Sequence, residues 1–254
     1  MADDSLPEGI VESFSENGVE LVAERFTSRN SSSTRAFVLV HGIGMGRTVF
    51  LGLIDILLDH GSVISIDQPG YGEAPEPEHT PTMEETADLL AAYLASRGVP
   101  PVILLGHSMG TQVVTELAAR HPERVARLIL VAPTVDARAR RVITQFRRLA
   151  QDLIGESPIV LYRGGREYLR AGPNLVRKMS VMLQHKPELA YPRVAAPTLV
   201  LRGERDPLAP VDWCHEVTEA LPDARFEQIP DHGHESMIRD PGEAARLILE
   251  FTGR

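Results

Sequence analysis

The chain predicts an α/β fold: a mostly parallel, eight-stranded sheet with helices on both faces and a helical cap inserted between two late strands. Three observations predict it. Six short runs of branched apolar residues alternate with helix-period segments, two alternating runs precede them, and one long helix-period stretch interrupts the series. With 254 residues, 43% of them hydrophobic and 24% charged, the chain is long enough to bury one large core.

Taken in order, residues 10–14 and 19–26 flank Glu16-Asn17-Gly18, and an Asn-Gly pair suits the positive φ angles of a tight hairpin turn. This antiparallel pair is expected at the edge of the sheet. Parallel strands follow at 36–40, 63–67, 102–105, 127–131, 198–202 and 225–229. Thr82-Met83-Glu84-Glu85 is a capping box, and Met83, Ala87, Leu90, Ala91 and Leu94 fall on one face of the helix it opens, which Gly98 closes. Residues 111–119 form a second amphipathic helix after the run at 102–105. Residues 134–196 lack strand-like alternation. There Ala139, Val142, Ile143, Phe146, Leu149, Ala150, Leu153 and Ile154 repeat at helical spacing, with Arg138, Arg141, Arg147 and Arg148 opposite, and another helix spans 173 or 174 to about 185. The expected organisation is a core of residues 1–133 and 197–254 with a cap of 134–196.

Composition narrows the function. Cys214 is the single cysteine, so no disulfide framework forms within the chain. The start, Met1-Ala2-Asp3-Asp4-Ser5-Leu6-Pro7, lacks the basic and apolar regions of a secretory signal, which predicts a cytoplasmic protein. No apolar stretch has the length of a membrane span. A net charge of -9 argues against nucleic acid as a partner, because phosphate contacts need a basic surface. Charge is uneven, however: residues 134–196 carry +7, leaving -16 elsewhere. That segment reads as a solvated arginine-rich face, with steering of anions or docking of an acidic partner as the sharper alternative. No metal or cofactor motif is visible.

The chemistry concentrates at Gly106-His107-Ser108-Met109-Gly110, directly after an apolar strand and before a helix. A serine at such a turn is forced into a strained backbone, and the flanking glycines let strand and helix approach. Serine needs a base and a carboxylate to orient that base. His234, in Pro230-Asp231-His232-Gly233-His234 after the last strand, is the expected base, with His232 the runner-up; His60, His79, His121, His185 and His215 read as surface residues. Asp206, in the turn after the strand at 198–202, is the expected acid, with Asp136 and Glu204 as rivals. All three choices follow strands, and an open parallel sheet gathers its site at the carboxyl ends of its strands. Asp67 is expected to tie down its own loop. The amide of Met109, at a helix start, and that of Ile43, in His41-Gly42-Ile43-Gly44-Met45-Gly46, are candidate donors to a developing oxyanion. Neither a nucleotide P-loop nor a G-x-G-x-x-G pattern is matched there.

In this order, His41 to Gly44, Asp67 to Gly72, Gly106 to Gly110, Asp206 and His234 resemble the α/β-hydrolase superfamily over nearly the whole chain. The resemblance implies Ser108 as nucleophile, His234 as base and then acid, Asp206 as its orienter, and Ile43 with Met109 as oxyanion hole. It also implies a helical lid at 134–196, and it disfavours the members whose nucleophile is aspartate. The expected substrate is a small-molecule carboxylic ester or lactone with a small to medium apolar acyl group, held under the cap by Phe146, Tyr162 and Met182. A second copy of the chain is an optional partner. The alternatives are hydrolysis of a carbon-carbon bond in a vinylogous diketone, perhydrolysis by the same residues, and a receptor without turnover.

Overall fold

The structure is a computed structural model that describes residues 8–136, 174–238 and 240–253. Apolar runs that leave no residue exposed build the middle of the sheet: β3 (Ala36–Val40), β4 (Ser62–Asp67), β5 (Val102–His107) and β7 (Thr198–Gly203). β6 (Val125–Val131) and β8 (Ala224–Ile229) complete the parallel set. β1 (Ile10–Glu16) and β2 (Val19–Phe26) form the antiparallel hairpin, with Asn17 at φ 53° and Gly18 at φ 78°. Its polar β1 is the outer strand, and β2 runs antiparallel to β4. The expected eight strands are all present.

Strand order is β1-β2-β4-β3-β5-β6-β7-β8. From β3 the chain crosses outward to β4 and then returns to β5 on the other side. Successive connections therefore diverge between β3 and β5, and a crevice opens at their carboxyl ends. The segments that leave those two ends begin at His41 and Ser108.

Helices α1 (Leu51–Leu57), α2 (Met83–Ser96), α3 (Gly110–Arg120), α4 (Asn174–Gln184), α5 (Val211–Ala220) and α6 (Pro241–Thr252) join the strands. α2 packs on α3 and α1 on α6. Both arms of the capping box exist: Glu85 N–H donates to Thr82 Oγ1 at 3.1 Å, and Thr82 N–H donates to the Glu85 carboxylate at 2.8 Å. The first expected cap helix, with Phe146, and the region of Tyr162 lie outside the described residues. α4 falls where the second was expected and buries Lys178, Met179, Met182 and Leu183.

One expectation of exposure is overturned. His185 is buried, with Nε2 2.9 Å from the buried carboxylate of Glu116 on α3. Its helix end packs against the core helices instead of water, and a buried carboxylate needs such a partner. The same cluster includes Glu84, and Arg193 lies 3.8 Å from Glu116.

Candidate active site

Ser108 sits between β5 and α3 with φ 54°, a left-handed conformation that a non-glycine residue adopts at a cost. Its N–H donates to the Val131 carbonyl at 2.9 Å, and its carbonyl accepts from the N–H and hydroxyl of Thr111. The strained residue is thus held from both sides. A Cβ on Gly106 would stand 2.5 Å from the Gly110 carbonyl oxygen, and one on Gly110 would stand 2.3 Å from that of Val40. Only hydrogen fits where β5, α3 and the end of β3 meet, which is the reason for glycine two residues before and after the serine.

His234 follows β8 and is buried. Its Nδ1 lies 2.9 Å from Asp206 Oδ2. A carboxylate only accepts, so Nδ1 carries the proton and Nε2 is left as the basic nitrogen. The other carboxylate oxygen of Asp206 accepts from the N–H groups of Leu208 and Ala209 at 2.8 and 3.1 Å. Burial alone would raise the Asp206 carboxyl. The charge and hydrogen bond of His234 and the two amides outweigh it and hold the group below the ordinary aspartate range. Buried Arg202 fixes this turn by donating to the carbonyls of Ala209 and Asp206 at 2.8 and 3.0 Å. Two of the rivals are placed otherwise: His232 Nδ1 faces the Pro230 carbonyl at 2.6 Å, and Glu204 accepts from the Asp231 N–H at 3.0 Å; Asp136 is buried at the end of the described segment after β6.

The loop after β3 lies against the serine, since a Cβ on Gly42 would come 3.0 Å from Ser108 Cβ. His41 anchors it. The Nδ1 of His41 donates to the Gly42 carbonyl at 2.7 Å, and its Nε2 accepts from the Gln68 N–H at 3.2 Å, so the ring is neutral with Nδ1 protonated. Burial holds that ring below the usual histidine range. Asp67 does tie down its loop, accepting from the N–H groups of Arg47 and Glu73 and from the Arg47 guanidinium. Arg47, which also reaches Glu24 at 2.9 Å and Glu73 at 3.0 Å, carried no sequence signal, because its acidic partners lie on β2, at the end of β4 and in the loop after it, each 20 or more positions away.

A cleft of about 310 Å³, counting its open mouth, reaches Met109 and is lined by the apolar Pro69, Tyr71, Pro81, Met83 and Val181 together with the polar Gln68, Thr80 and Thr86. Lys178 also borders it, with Nζ 4.3 Å from the centre of the Tyr71 ring and 2.7 Å from Glu76. Met182 is not part of this lining. It packs in the core, while its carbonyl accepts from Gln112 Nε2 at 3.1 Å.

The family model described as "Alpha/beta hydrolase family" matches residues 37–247. The chain is 25% identical over 259 residues to RutD of Yersinia enterocolitica, provisionally named a carbamate hydrolase, covering 89% of this chain and 90% of the relative. It is 26% identical over 244 residues to the pimeloyl-[acyl-carrier protein] methyl ester esterase of Chromobacterium violaceum, covering 84% and 92%. Among solved structures, a thermophilic esterase from Thermogutta terrifontis has the same fold, with a TM-score of 0.78 at 24% identity over 97% of this chain and 98% of that one.

Proposed function

Because the chain belongs to the alpha/beta hydrolase family, we propose that it hydrolyses carboxylic esters or lactones through an acyl-enzyme on Ser108. The observation that carries the reading is the 2.9 Å bond from His234 Nδ1 to Asp206, which leaves a basic Nε2 on the loop beside the serine turn. In this reading His234 Nε2 takes the Ser108 proton as Oγ attacks the carbonyl carbon. The N–H groups of Ile43 and Met109, which meet no acceptor among the described residues, stabilise the alkoxide. Collapse expels the alcohol, which takes the proton from His234. Water, deprotonated by the same nitrogen, then attacks the acyl-enzyme; the C–Oγ bond breaks, the acid is released, and Ser108 Oγ takes the proton back from His234.

The apolar lining of the cleft beside Met109 favours a small to medium apolar acyl group. Relatives named as a methyl ester esterase and as a carbamate hydrolase support a hydrolytic reading.

The test is hydrolysis of p-nitrophenyl esters from acetate to dodecanoate by the wild type and by Ser108→Ala and His234→Ala. Turnover with a chain-length optimum, lost in both variants while they remain folded, is expected. Equal rates in wild type and Ser108→Ala would overturn the reading. Loss of a dienone chromophore without ester turnover would redirect it to carbon-carbon hydrolysis.

A further inference from the structure

We propose that His107, the residue before the serine, is a positioning residue for His234; this rests on the reading of His234 as base. The His107 ring has no exposed surface, and its Nε2 lies 3.0 Å from the backbone carbonyl oxygen of His234. A carbonyl accepts, so Nε2 carries the proton and the ring donates. The two imidazoles lie 5.0 Å apart, centre to centre. The bond spans 127 positions of sequence and joins the base's own residue to the strand that carries the nucleophile.

The rest of the loop is tied elsewhere. Arg205 N–H donates to the His232 carbonyl at 2.9 Å, Glu204 N–H donates to the Ile229 carbonyl at 2.9 Å, and Gly203 leaves room for the carbonyls of His232 and Gly233. Those contacts seat the loop on the end of β7, beside Asp206. The His107 bond adds the second reference point, on β5, so both partners of the base fix its position. On its other edge the ring faces the loop after β3: a Cβ on Gly42 would stand 3.5 Å from His107 Nδ1. One side chain therefore lies between the base loop and the Gly42 loop, and its own backbone leads into Ser108.

Among the described residues, Nδ1 of His107 has no hydrogen-bond partner. A phenylalanine would fill similar space without burying an unpaired nitrogen, so what the imidazole adds is its bond to His234. The titratable groups facing the ring are His234, Asp206 and His41. Burial first, then the nearby His234 charge, pushes the ring down to about 3, so the neutral donor persists throughout the range in which His234 would work.

The experiment compares His107→Phe, which fills the site without a donor, with His107→Gln, which restores an amide N–H. Two readouts are taken across pH: ester hydrolysis and the rate at which a fluorophosphonate labels Ser108. With melting temperature near wild type, His107→Phe should lower kcat by about tenfold to a hundredfold with KM little changed. The acid limb of its labelling profile should move to lower pH, because a looser His234 gains less from Asp206. His107→Gln should recover most of both. His107→Leu makes the same comparison where the phenylalanine ring does not fit. Wild-type kinetics in the donor-less variant overturn the proposal, as does an equal loss in both variants that follows melting temperature. If the wild type is not labelled, the functional reading itself fails. The low-field proton resonance of His234 Nδ1–H then decides: its survival unchanged in His107→Phe overturns the proposal, and its shift or loss with recovery in His107→Gln supports it.

Discussion

Asp206 is ionised inside the protein because the His234 ring and the Leu208 and Ala209 amides compensate its burial. Its pH behaviour follows. The folded value lies below the unfolded one, so its contribution to stability is complete above the unfolded aspartate range, near pH ~4, and is lost as pH falls through the lower folded value. Acid titration of stability should show a smaller loss in that window for Asp206→Asn than for the wild type. In the proposed reaction the same substitution should cost about a thousandfold to ten-thousandfold in kcat, since an amide nitrogen facing His234 would favour the wrong imidazole tautomer. If Asp206→Asn stays fully active while Asp136→Asn does not, Asp206 is not the orienting acid. Arg47 makes a sharper statement about stability. Removing it as Arg47→Met would leave Asp67 buried at 1% exposure without its cation, and urea unfolding should show a loss of about 3–5 kcal/mol.

The most legible elements were those whose local chemistry and tertiary role agree. Thr82 and Glu85 close their capping box within one turn, so four residues of sequence state the whole interaction. Thr82→Ala should cost about 1 kcal/mol, or about 2–4 °C in melting temperature, with catalysis unchanged. β3 and β2 have the expected bounds, whereas β5 continues beyond the apolar run through Gly106 to His107. Glycine and histidine carry little strand signal. The extension comes from pairing with β6, where Gly106 faces Leu130 and His107 faces Val131. At the same junction Gly106→Val should displace α3 from β5, because the added atoms would meet the Gly110 carbonyl and Val114. Labelling of Ser108 by a fluorophosphonate should fall much further in this variant than in Thr82→Ala.

At the scale of the molecule, Cys214 reports on the packing of the whole. It is fully buried, and that burial pushes its thiol up to about 12, so a disulfide exchange reagent should find one thiol only after global unfolding. A native protein that reacts at the rate of the denatured one would contradict this burial. The sequence by itself determined the alternation of strands and helices, the serine turn, and the carboxyl-edge positions of Asp206 and His234. Each of these rests on residues within a few positions of one another or on the polarity of a parallel sheet. Tertiary structure alone decided that His185 is buried against Glu116, that Arg47 neutralises Asp67, and that His107 bonds the backbone carbonyl of His234, and it brought the expected pair His234 and Asp206 together. These contacts join segments 20 to 127 positions apart. No local pattern encodes them, because the partner is chosen by where the sheet order places two loops and by the cost of leaving a buried polar atom unpaired.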